Sequence, residues 1–306
     1  MSRAASRDRS HLRTRIRDHL RTLWQYPCPT HLLSRLVCRA TRIHYRPVKD
    51  RQILWFLRRY RVDMDIAVAP APSAYLDFNS FFTRALRPDA RPVNDEAHAL
   101  VSPVDGEISQ AGTLHGEQLL QAKGKTYSLR TLLGGKEDDC RAFVGGEFFT
   151  AYLHPRNYHR VHMPARGCLQ TMIYIPGRLF SVNASSAQTV PHLFARNERV
   201  VCIFRGDRSV FAVVLVGALC VGHIETAWAG AVTPKCRHRP ARWSYAEGSA
   251  PALERGAELG RFNMGSTVIV LLPPGQSRWR AGLGPGQQVH VGEKIGEFLP
   301  SSTGKD

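Results

Sequence analysis

From about residue 101 onward, short runs of β-branched and aromatic residues alternate with turns rich in glycine and proline. Short apolar runs with such boundaries predict strands rather than helices. The runs are GEISQAG, EFFTAYL, LQTMIYIP, RVVCIF, SVFAVVLVGALCVGHIE and STVIVLLPP, followed by GQQVHVGEKIGEF near the carboxyl end. The sequence therefore predicts an α+β protein that is mostly β, with its strands in residues 101–306.

The best continuous apolar run, residues 210–222, is too short to cross a membrane as a helix. It has 13 residues and contains glycine, whereas a spanning helix needs about 20 apolar residues. It therefore predicts a buried strand. Residues 1–20 alternate arginines with small and polar residues, so we expect no secretory signal peptide.

The basic charge is concentrated at the amino end. Residues 1–61 hold 16 lysines and arginines against three aspartates, a difference of 13 in a chain with a net charge of +17. Apolar residues recur there at helical spacing, with a Trp in residues 11–24 and another in residues 53–57. A basic amphipathic segment of this kind is typical of a helix at a membrane surface. A helical layer packed on the core, with a solvated basic face, explains the pattern equally well.

These patterns divide the chain into three parts. Residues 1–62 form a basic amphipathic helical region, residues 63–100 a connecting segment with a proline-rich stretch at 70–75, and residues 101–306 a β-rich domain. Seven cysteines are scattered through the chain without a CxxC pair, which favours reduced thiols in the cytosol over a disulfide framework or a zinc site.

A Gly-Ser pair precedes one of the predicted strands. In GRFNMGSTVIVLLP, Gly265 and Ser266 stand just before a hydrophobic run. The glycine leaves its carbonyl unhindered, as an attack by the Ser266 hydroxyl on the preceding peptide bond requires. Taken alone, the pair is more typical of an ordinary turn.

Three histidines, His154, His159 and His162, fall within nine residues in AYLHPRNYHRVHMPARG. Histidine exchanges its proton near neutral pH, so the segment is a candidate for acid–base chemistry. The acidic partners and cysteine spacing of a zinc site do not accompany it, and we expect no metal. Hydrogen-bonded core histidines are an equally open interpretation for part of the set.

An aspartate in a Pro-x-Asp-Gly turn, Asp105, precedes another predicted strand in VSPVDGEIS. Such an aspartate commonly binds the backbone of its own turn. It can also orient a histidine, which gives the set Ser266, His162 and Asp105. The G-x-S-x-G elbow of many hydrolases does not surround Ser266.

Eight segments in one order resemble the phosphatidylserine decarboxylase family. They are FNSFFTRALRPDARPV (78–93), SPVDG (102–106), QAKGKTYSL (121–129), YLHPRNYHRVHMP (152–164), IPGRLFSVN (175–183), LFARNERV (193–200), VGALCVGHIETAWAG (216–230) and GRFNMGST (260–267). Two positions depart from the family pattern: Met264 replaces the usual leucine before the Gly-Ser pair, and Asn157 replaces an aspartate. The first 60 residues resemble the family weakly.

The resemblance implies self-cleavage between Gly265 and Ser266 into a β chain (1–265) and an α chain (266–306). Ser266 would attack the Gly265 carbonyl, with His162 accepting the proton and Asp105 holding the imidazole. The former Ser266 would become a pyruvoyl group, which forms a Schiff base with the substrate amine. His159 is the candidate for the decarboxylation step and Arg160 for binding a substrate phosphate or carboxylate.

The resemblance also implies a substrate and a location. The enzyme, a carboxy-lyase of phospholipid biosynthesis, would convert phosphatidylserine to phosphatidylethanolamine and carbon dioxide. It would bind the cytoplasmic side of the cell membrane as a peripheral protein attracted to anionic lipids. The β and α chains would form a heterodimer, with further dimerisation left open. No nucleic-acid partner is expected. The carboxyl-terminal segment GQQVHVGEKIGEF is similar to hairpins of barrel-sandwich hybrid domains, the group of lipoyl and biotinyl carriers.

Three other functions fit parts of the sequence. A pyruvoyl enzyme acting on a soluble amino acid would share the self-cleavage without needing the basic amphipathic segment. A non-enzymatic basic protein that binds membranes or nucleic acid would keep an intact chain. A hydrolase using Ser266, His162 and Asp105 would also stay uncut and would react with serine-directed probes.

Overall fold

The structure, a computed structural model, describes residues 22–122, 124–220, 223–232, 239–246, 248–263 and 266–300. Within these ranges the chain is mostly β, as the sequence predicts. The predicted amphipathic helix at residues 11–24 lies almost wholly outside the described residues, and so does the predicted cleavage residue Gly265.

The strands are β1 (Ala99–Val101), β2 (Gly106–Thr113), β3 (Gln118–Ala122), β4 (Lys125–Ser128), β5 (Glu147–Leu153), β6 (Arg160–His162), β7 (Gly167–Ile175), β8 (Arg199–Arg205), β9 (Val210–Val216), β10 (Ile224–Thr226), β11 (Gly230–Ala231), β12 (Ala241–Ser244), β13 (Ala252–Leu253), β14 (Glu258–Phe262), β15 (Ser266–Leu272), β16 (Ser277–Trp279), β17 (Gln288–Val289) and β18 (Lys294–Phe298). Strands β2, β5, β7, β8, β9, β15, β17 and β18 of this set lie in the predicted runs, whereas most of the shorter strands were not predicted.

Three of the helices named here precede the strands, and all but the first two are short. They are α1 (Thr30–Ala40), α2 (Arg46–Tyr60), α3 (Phe78–Phe82), α4 (Leu129–Leu133), α5 (Glu137–Arg141), α6 (Ala184–Thr189) and α7 (Leu193–Arg196). The sequence did not predict α4 to α7, because helices of four to six residues carry too few turns to show a period. No helix in the described ranges is long and apolar enough to cross a bilayer.

One large antiparallel sheet has the order β12-β7-β8-β9-β15-β5-β2-β17, with β13 also paired to β7. Its central strand β15 is buried at all seven residues. Val268 and Val270 belong to the core on one face, and Ile269 and Leu271 to the core on the other. Because both faces are covered, the strand is continuously apolar instead of alternating. The predicted buried strand in residues 210–222 is confirmed as β9.

Different layers cover the two faces of the large sheet. Helices α4 to α7 and the β3–β4 hairpin contribute side chains to one core. The other core includes side chains from two smaller sheets, β11-β10-β14-β6 and β1-β18-β16. Strands β17 and β18 do not pair with each other, since β17 extends the large sheet while β18 lies between β1 and β16.

Helices α2 and α3 pack on each other through aromatic rings. Ile53 and Phe56 of α2 are buried against Phe78, Phe81 and Phe82. Helix α3 begins at a capping box, in which the Asp77 carboxylate accepts a 2.7 Å hydrogen bond from the Ser80 N–H. This cluster fixes α3 beside the turn that carries the predicted catalytic histidines.

Other apolar side chains of the amino-terminal helices face solvent. The exposed fractions are 54% for Leu32, 52% for Leu36 and 60% for Trp55, and Leu54 is also exposed. The helices therefore bury one apolar set in the molecule and leave a second set outside it.

Candidate active site

The predicted site residues gather at one edge of the large sheet. Strand β5 lies between β2 and β15 and is antiparallel to both, so both neighbours begin where β5 ends. Ser266 pairs with Leu153, and Asp105 immediately precedes β2. Gly106 allows the close approach there, since a Cβ on it would lie 2.7 Å from the Tyr152 carbonyl oxygen. The topology thus places Asp105 and Ser266 on either side of the end of β5.

The turn after β5 runs beside the predicted cleavage loop. Leu153 pairs with Ser266, and the His159 carbonyl accepts a 3.1 Å hydrogen bond from the Phe262 N–H. Both ends of residues 154–158 are therefore tied to residues that flank the predicted cleavage bond. The Asn157 carboxamide oxygen accepts a 2.8 Å hydrogen bond from the His154 N–H and closes the turn. Asparagine fulfils this contact as well as the aspartate usual at this position, since both offer a side-chain oxygen.

The Ser266 side chain is fully buried, and its Oγ has no hydrogen-bond partner among the described residues. A buried polar group without a partner costs about 1–3 kcal/mol. Hydroxyls buried in a core normally find an acceptor. An unengaged hydroxyl at the first residue of β15 is therefore available to react with its own chain.

His159 is also fully buried, and its ring stacks on Phe82 of α3 at 4.0 Å. Nε2 lies 3.4 Å from the Pro155 carbonyl oxygen, so this nitrogen carries the hydrogen. Nδ1 has no partner among the described residues. Burial, together with the nearby charge of Arg84, lowers the pKa of His159 to about 3. At neutral pH the ring is uncharged, with a free lone pair on Nδ1.

His162 is held by two groups on opposite sides of its ring. Nδ1 lies 2.7 Å from the Gly256 carbonyl oxygen and therefore carries the hydrogen, while Nε2 accepts a 3.0 Å hydrogen bond from the Tyr158 hydroxyl. Burial lowers the pKa of His162, opposed by the Gly256 carbonyl. The basic nitrogen Nε2 thus faces Tyr158 in this arrangement.

Asp105 binds an arginine and a backbone amide. Arg91 forms a bidentate pair with it, at 2.9 Å for Nε and 2.6 Å for Nη2, and the Val291 N–H donates at 2.9 Å. Burial alone raises the pKa of Asp105, but His290 at 3.8 Å, Arg91 and the Val291 amide outweigh it and lower the pKa to about 2. The carboxylate therefore stays ionised at neutral pH.

The three residues of the predicted relay share this edge without forming a hydrogen-bonded chain. The backbone N–H of His162 donates a 2.8 Å hydrogen bond to the Pro103 carbonyl, two residues before Asp105. Asp105 acts on His162 through its charge, which opposes part of the lowering of the imidazole pKa that burial causes. The ring atoms of His162 are bonded to Gly256 and Tyr158 instead of Asp105 and Ser266.

His154 and Arg160 both bind carboxylates of the protein. His154 Nε2 is 3.0 Å from a carboxylate oxygen of Glu107. Arg160 donates from Nε to the Thr83 carbonyl at 2.9 Å and from Nη1 to Glu258 at 2.8 Å. The charge of Arg160 is therefore largely balanced within the protein.

A polar network anchors the chain just before the predicted cleavage bond. Asn263 is buried, donates to Glu225 at 2.7 Å and accepts from the Asn79 side chain at 3.0 Å. Its N–H donates to the His223 carbonyl at 3.0 Å. Asn79 belongs to α3, so this network connects the helix that carries Phe82 to the loop before Ser266.

Sequence reasoning missed Phe82, Arg91, Tyr158, Gly256 and Asn263. Phe82, Arg91 and Tyr158 stand in segments that carry the family resemblance, but no local pattern shows which side chain each one contacts. Gly256 contributes only a carbonyl oxygen, which every residue has, and it lies 94 positions from His162.

Comparison with known proteins identifies the family. The family model of phosphatidylserine decarboxylase matches residues 78–297. The chain belongs to the phosphatidylserine decarboxylase family. A second family model, described as PSD, matches residues 20–61, in the region where the sequence resemblance was weak.

Curated relatives align with this chain over nearly its whole length. The phosphatidylserine decarboxylase proenzyme of Pseudomonas aeruginosa is 52% identical over 91% of this chain and 96% of its own length. The proenzyme of Bordetella bronchiseptica is 49% identical over 94% of this chain and 97% of its own length. That of Pseudomonas putida is 49% identical over 92% and 99%.

Membership makes the chain a carboxy-lyase of phosphatidylserine, and the predicted family and enzyme class are confirmed. The relatives are named proenzymes, a word that implies processing within the family.

Proposed function

We propose that the chain cleaves itself before Ser266 and uses the resulting pyruvoyl group to convert phosphatidylserine to phosphatidylethanolamine and carbon dioxide. The observation that carries the proposal is the buried Ser266 hydroxyl, which has no partner in the described part of the chain and lies at the start of β15, beside the turn of residues 154–158. Asp105, His162 and Ser266 act in self-cleavage, and His159 acts in decarboxylation.

In the self-cleavage step, Ser266 Oγ attacks the carbonyl carbon of Gly265. The C–N bond between residues 265 and 266 breaks and an ester replaces it. His162 accepts the hydroxyl proton at Nε2 and returns a proton to the freed amine. Loss of the Ser266 Cα proton then breaks the ester C–O bond, which leaves the Gly265 carboxylate and dehydroalanine. Water converts dehydroalanine to the pyruvoyl group and releases ammonia.

Asp105 and Tyr158 set the state of His162 for this step. The ionised Asp105 favours the protonated imidazole that forms when His162 takes the proton. Tyr158 occupies Nε2 with a 3.0 Å hydrogen bond, so this bond opens before the imidazole reaches Ser266. The Gly256 carbonyl keeps the hydrogen on Nδ1 and so leaves Nε2 as the base.

The pyruvoyl group would supply a carbonyl that accepts the electron pair left when carbon dioxide departs. The buried Ser266 hydroxyl fits this origin, since the neighbours that the structure describes offer it no hydrogen bond. His159 is the candidate for placing the substrate carboxylate or for returning a proton to Cα after carbon dioxide has left. Its buried site on Phe82 excludes water, which favours loss of the charged carboxylate as neutral carbon dioxide. Arg160 is a further candidate for contact with the substrate.

We propose that residues 1–62 hold the enzyme on the cytoplasmic side of the cell membrane as a peripheral protein. The exposed side chains of Leu32, Leu36, Leu54 and Trp55 support this, because apolar groups beside many arginines suit a lipid headgroup layer. Each basic residue near an anionic surface contributes about 1 kcal/mol. Residues 63–100 connect this region to the catalytic domain, residues 101–306.

The β chain (1–265) and the α chain (266–306) stay together as a heterodimer because β15 pairs with β5 and β9 along its length. We also propose a barrel-sandwich-hybrid relationship for the core. The pairing of β18 with β1, from opposite ends of the catalytic domain, supports that relationship.

Intact mass measurement tests the proposal. The purified protein should give two chains that divide before residue 266, with ammonia lost and a carbonyl gained on the smaller chain. The processed protein should decarboxylate phosphatidylserine in vesicles and leave free serine unchanged. An active preparation consisting of one uncut chain would refute self-cleavage, and turnover of free serine at the same rate would favour a soluble amino-acid substrate.

Variants separate the two stages. His162→Ala and Asp105→Ala should block cutting. His159→Gln should cut normally and lose decarboxylation, because the buried site is kept while the base is lost. Unchanged turnover in His159→Gln would remove this residue from the mechanism.

A further inference from the structure

Arg84 is a buried arginine that the mechanism above does not use. It follows helix α3 and is only 3% exposed. Its Nη2 lies 3.4 Å from the Arg156 carbonyl oxygen, and its guanidinium lies 5.6 Å from the centre of the Phe81 ring. These contacts fix the side chain between α3 and the turn of residues 154–158.

Two of the three nitrogens of this guanidinium are unsatisfied. Nε and Nη1 of Arg84 are buried and have no hydrogen-bond partner among the described residues. A guanidinium stays protonated and offers five N–H donors. Burial lowers the pKa of Arg84, as expected for a cation that is removed from water. Burying a cation whose N–H donors lack partners costs free energy unless a bound anion accepts hydrogen bonds from them.

A pocket of about 260 Å³ lies at this position. Arg84, Arg160 and Arg261 line it, together with Tyr75, Ser80 and Thr83 among others. Arg160 is paired with Glu258 at 2.8 Å, and Arg261 with Glu225 at 3.2 Å. Two carboxylates therefore balance two of the three guanidinium groups, and the charge of Arg84 remains.

More distant carboxylates do not fill the open donors. Asp63 and Asp105 act on Arg84 through their charge. Asp105 is already bound to Arg91, and Asp63 is exposed. The pocket therefore keeps a net positive character and donors to match an anion.

The pocket adjoins the proposed decarboxylation base. Arg160 directly follows His159, and the Phe82 ring that stacks on His159 stands two residues before Arg84. The charge of Arg84 contributes to the lowered pKa of His159. A substrate group bound at Arg84 would thus keep the rest of the headgroup near His159.

We propose that Arg84 binds the phosphodiester group of the substrate, with Arg160 and Arg261 forming the basic wall of the pocket. This inference rests on the proposed function, since it assigns the substrate's phosphate to a place beside the reacting centre. Because Nε and Nη1 of Arg84 are shielded from solvent, the side chain would turn toward the pocket as the phosphate enters, and two of its N–H groups would then donate to phosphate oxygens in the parallel geometry that arginine favours.

The chemistry selects the phosphate over the carboxylate of the same headgroup. The carboxylate loses its charge as carbon dioxide leaves, so a strong cation bound to it would stabilise the ground state more than the transition state. The phosphodiester keeps its charge through the whole reaction. A contact to it lowers KM without changing kcat, because ground state and transition state are bound equally.

Kinetics on the processed enzyme test this with a short-chain phosphatidylserine as substrate. Arg84→Gln should cut normally, raise KM roughly tenfold to a hundredfold, and keep kcat within about twofold, as expected for the loss of a charged hydrogen bond. Arg87→Gln is the matched control, since Arg87 is half-exposed and pairs with the exposed Asp89 at 3.5 Å. Its KM should stay unchanged. A fall in kcat alone, or equal effects of the two variants, would overturn the proposal.

Direct binding provides a second readout that does not need cutting. In an uncut Ser266→Ala chain, calorimetric titration with glycerophosphoserine should show binding that Arg84→Gln abolishes and Arg84→Lys weakens. Free serine, which has no phosphate, should bind far more weakly. Equal binding of glycerophosphoserine with and without Arg84 would contradict the site. If the wild-type chain proves uncut and inactive, self-cleavage fails as a function, while this titration still decides whether Arg84 binds phosphate.

Discussion

The amino-terminal helices and the large sheet differ in how completely they bury their apolar side chains. Strand β15 is buried at all seven residues and contributes to cores on both faces of the sheet. Helix α2 buries Ile53 and Phe56 but exposes Leu54 and Trp55. The apolar side chains of β15 are covered within the molecule, whereas the helices leave an exposed apolar surface.

The difference suggests two separable activities. In the proposed function, the sheet edge carries self-cleavage and decarboxylation, and the helices carry membrane binding. Helix α3 connects the two, because Phe56 packs on its phenylalanines and Phe82 stacks on His159. Substitutions that affect one activity and spare the other would sharpen the comparison.

Ser266→Ala gives the largest expected effect. Without the hydroxyl no ester forms, so a denaturing gel should show one full-length band and no decarboxylation should be detected. Vesicle binding should be unchanged, because the helices do not need the cut. Two fragments of the usual size in this variant would break the assignment of the cleavage residue.

Trp55→Glu should have the converse effect. A carboxylate replaces an exposed apolar ring and should lower affinity for phosphatidylserine vesicles about tenfold in a sedimentation assay. Cutting should proceed at the wild-type rate. Val144→Glu puts the same charge on an exposed apolar residue of the catalytic domain and serves as the control. Equal losses in both variants would erase the distinction between the two regions.

Asn263→Ala should slow self-cleavage severalfold without stopping it. The substitution removes hydrogen bonds to Glu225 and Asn79 and loosens the chain two residues before Gly265. A time course on a denaturing gel measures the rate. The Asn94→Ala substitution, at a partly buried asparagine whose side chain bonds to Glu96, is expected to leave the time course unaltered. A wild-type time course in the Asn263 variant would show that the network has no part in positioning.

The smallest expected effect is on stability as the pH falls. Burial lowers the pKa of His159 to about 3 from an ordinary value of 6.5. The unfolded chain therefore takes up a proton near pH 6.5 that the folded chain refuses until about pH 3, and stability declines as the pH falls through that window. Between pH 7 and 5.5 the free energy of unfolding of the uncut Ser266→Ala chain should drop by about 1 kcal/mol through His159.

Urea denaturation at the two pH values measures this drop, and adding His159→Gln should remove it. An equal decline in both chains would place the titration elsewhere.

Local patterns were enough for much of the fold and for the candidate residues. The strands β2, β5, β8 and β15 follow from apolar runs with glycine or proline nearby. The short helices α4 to α7 did not follow, and the partners of Asp105 and His162 did not either. Arg91 lies 14 positions from Asp105 and carries no sign of pairing with it.

The sequence by itself determined which residues can react: Gly265, Ser266, His159, His162 and Asp105 have their chemistry wherever the chain places them. Only the tertiary structure decided the hydrogen-bond partners and protonation states of those among them that it describes. Among the described residues it leaves Ser266 Oγ and two nitrogens of Arg84 without partners, keeps His159 uncharged and binds His162 to Tyr158 and Gly256. The physical reason is that burial and hydrogen bonding depend on atoms brought together from distant parts of the chain, and these set proton affinity and reactivity.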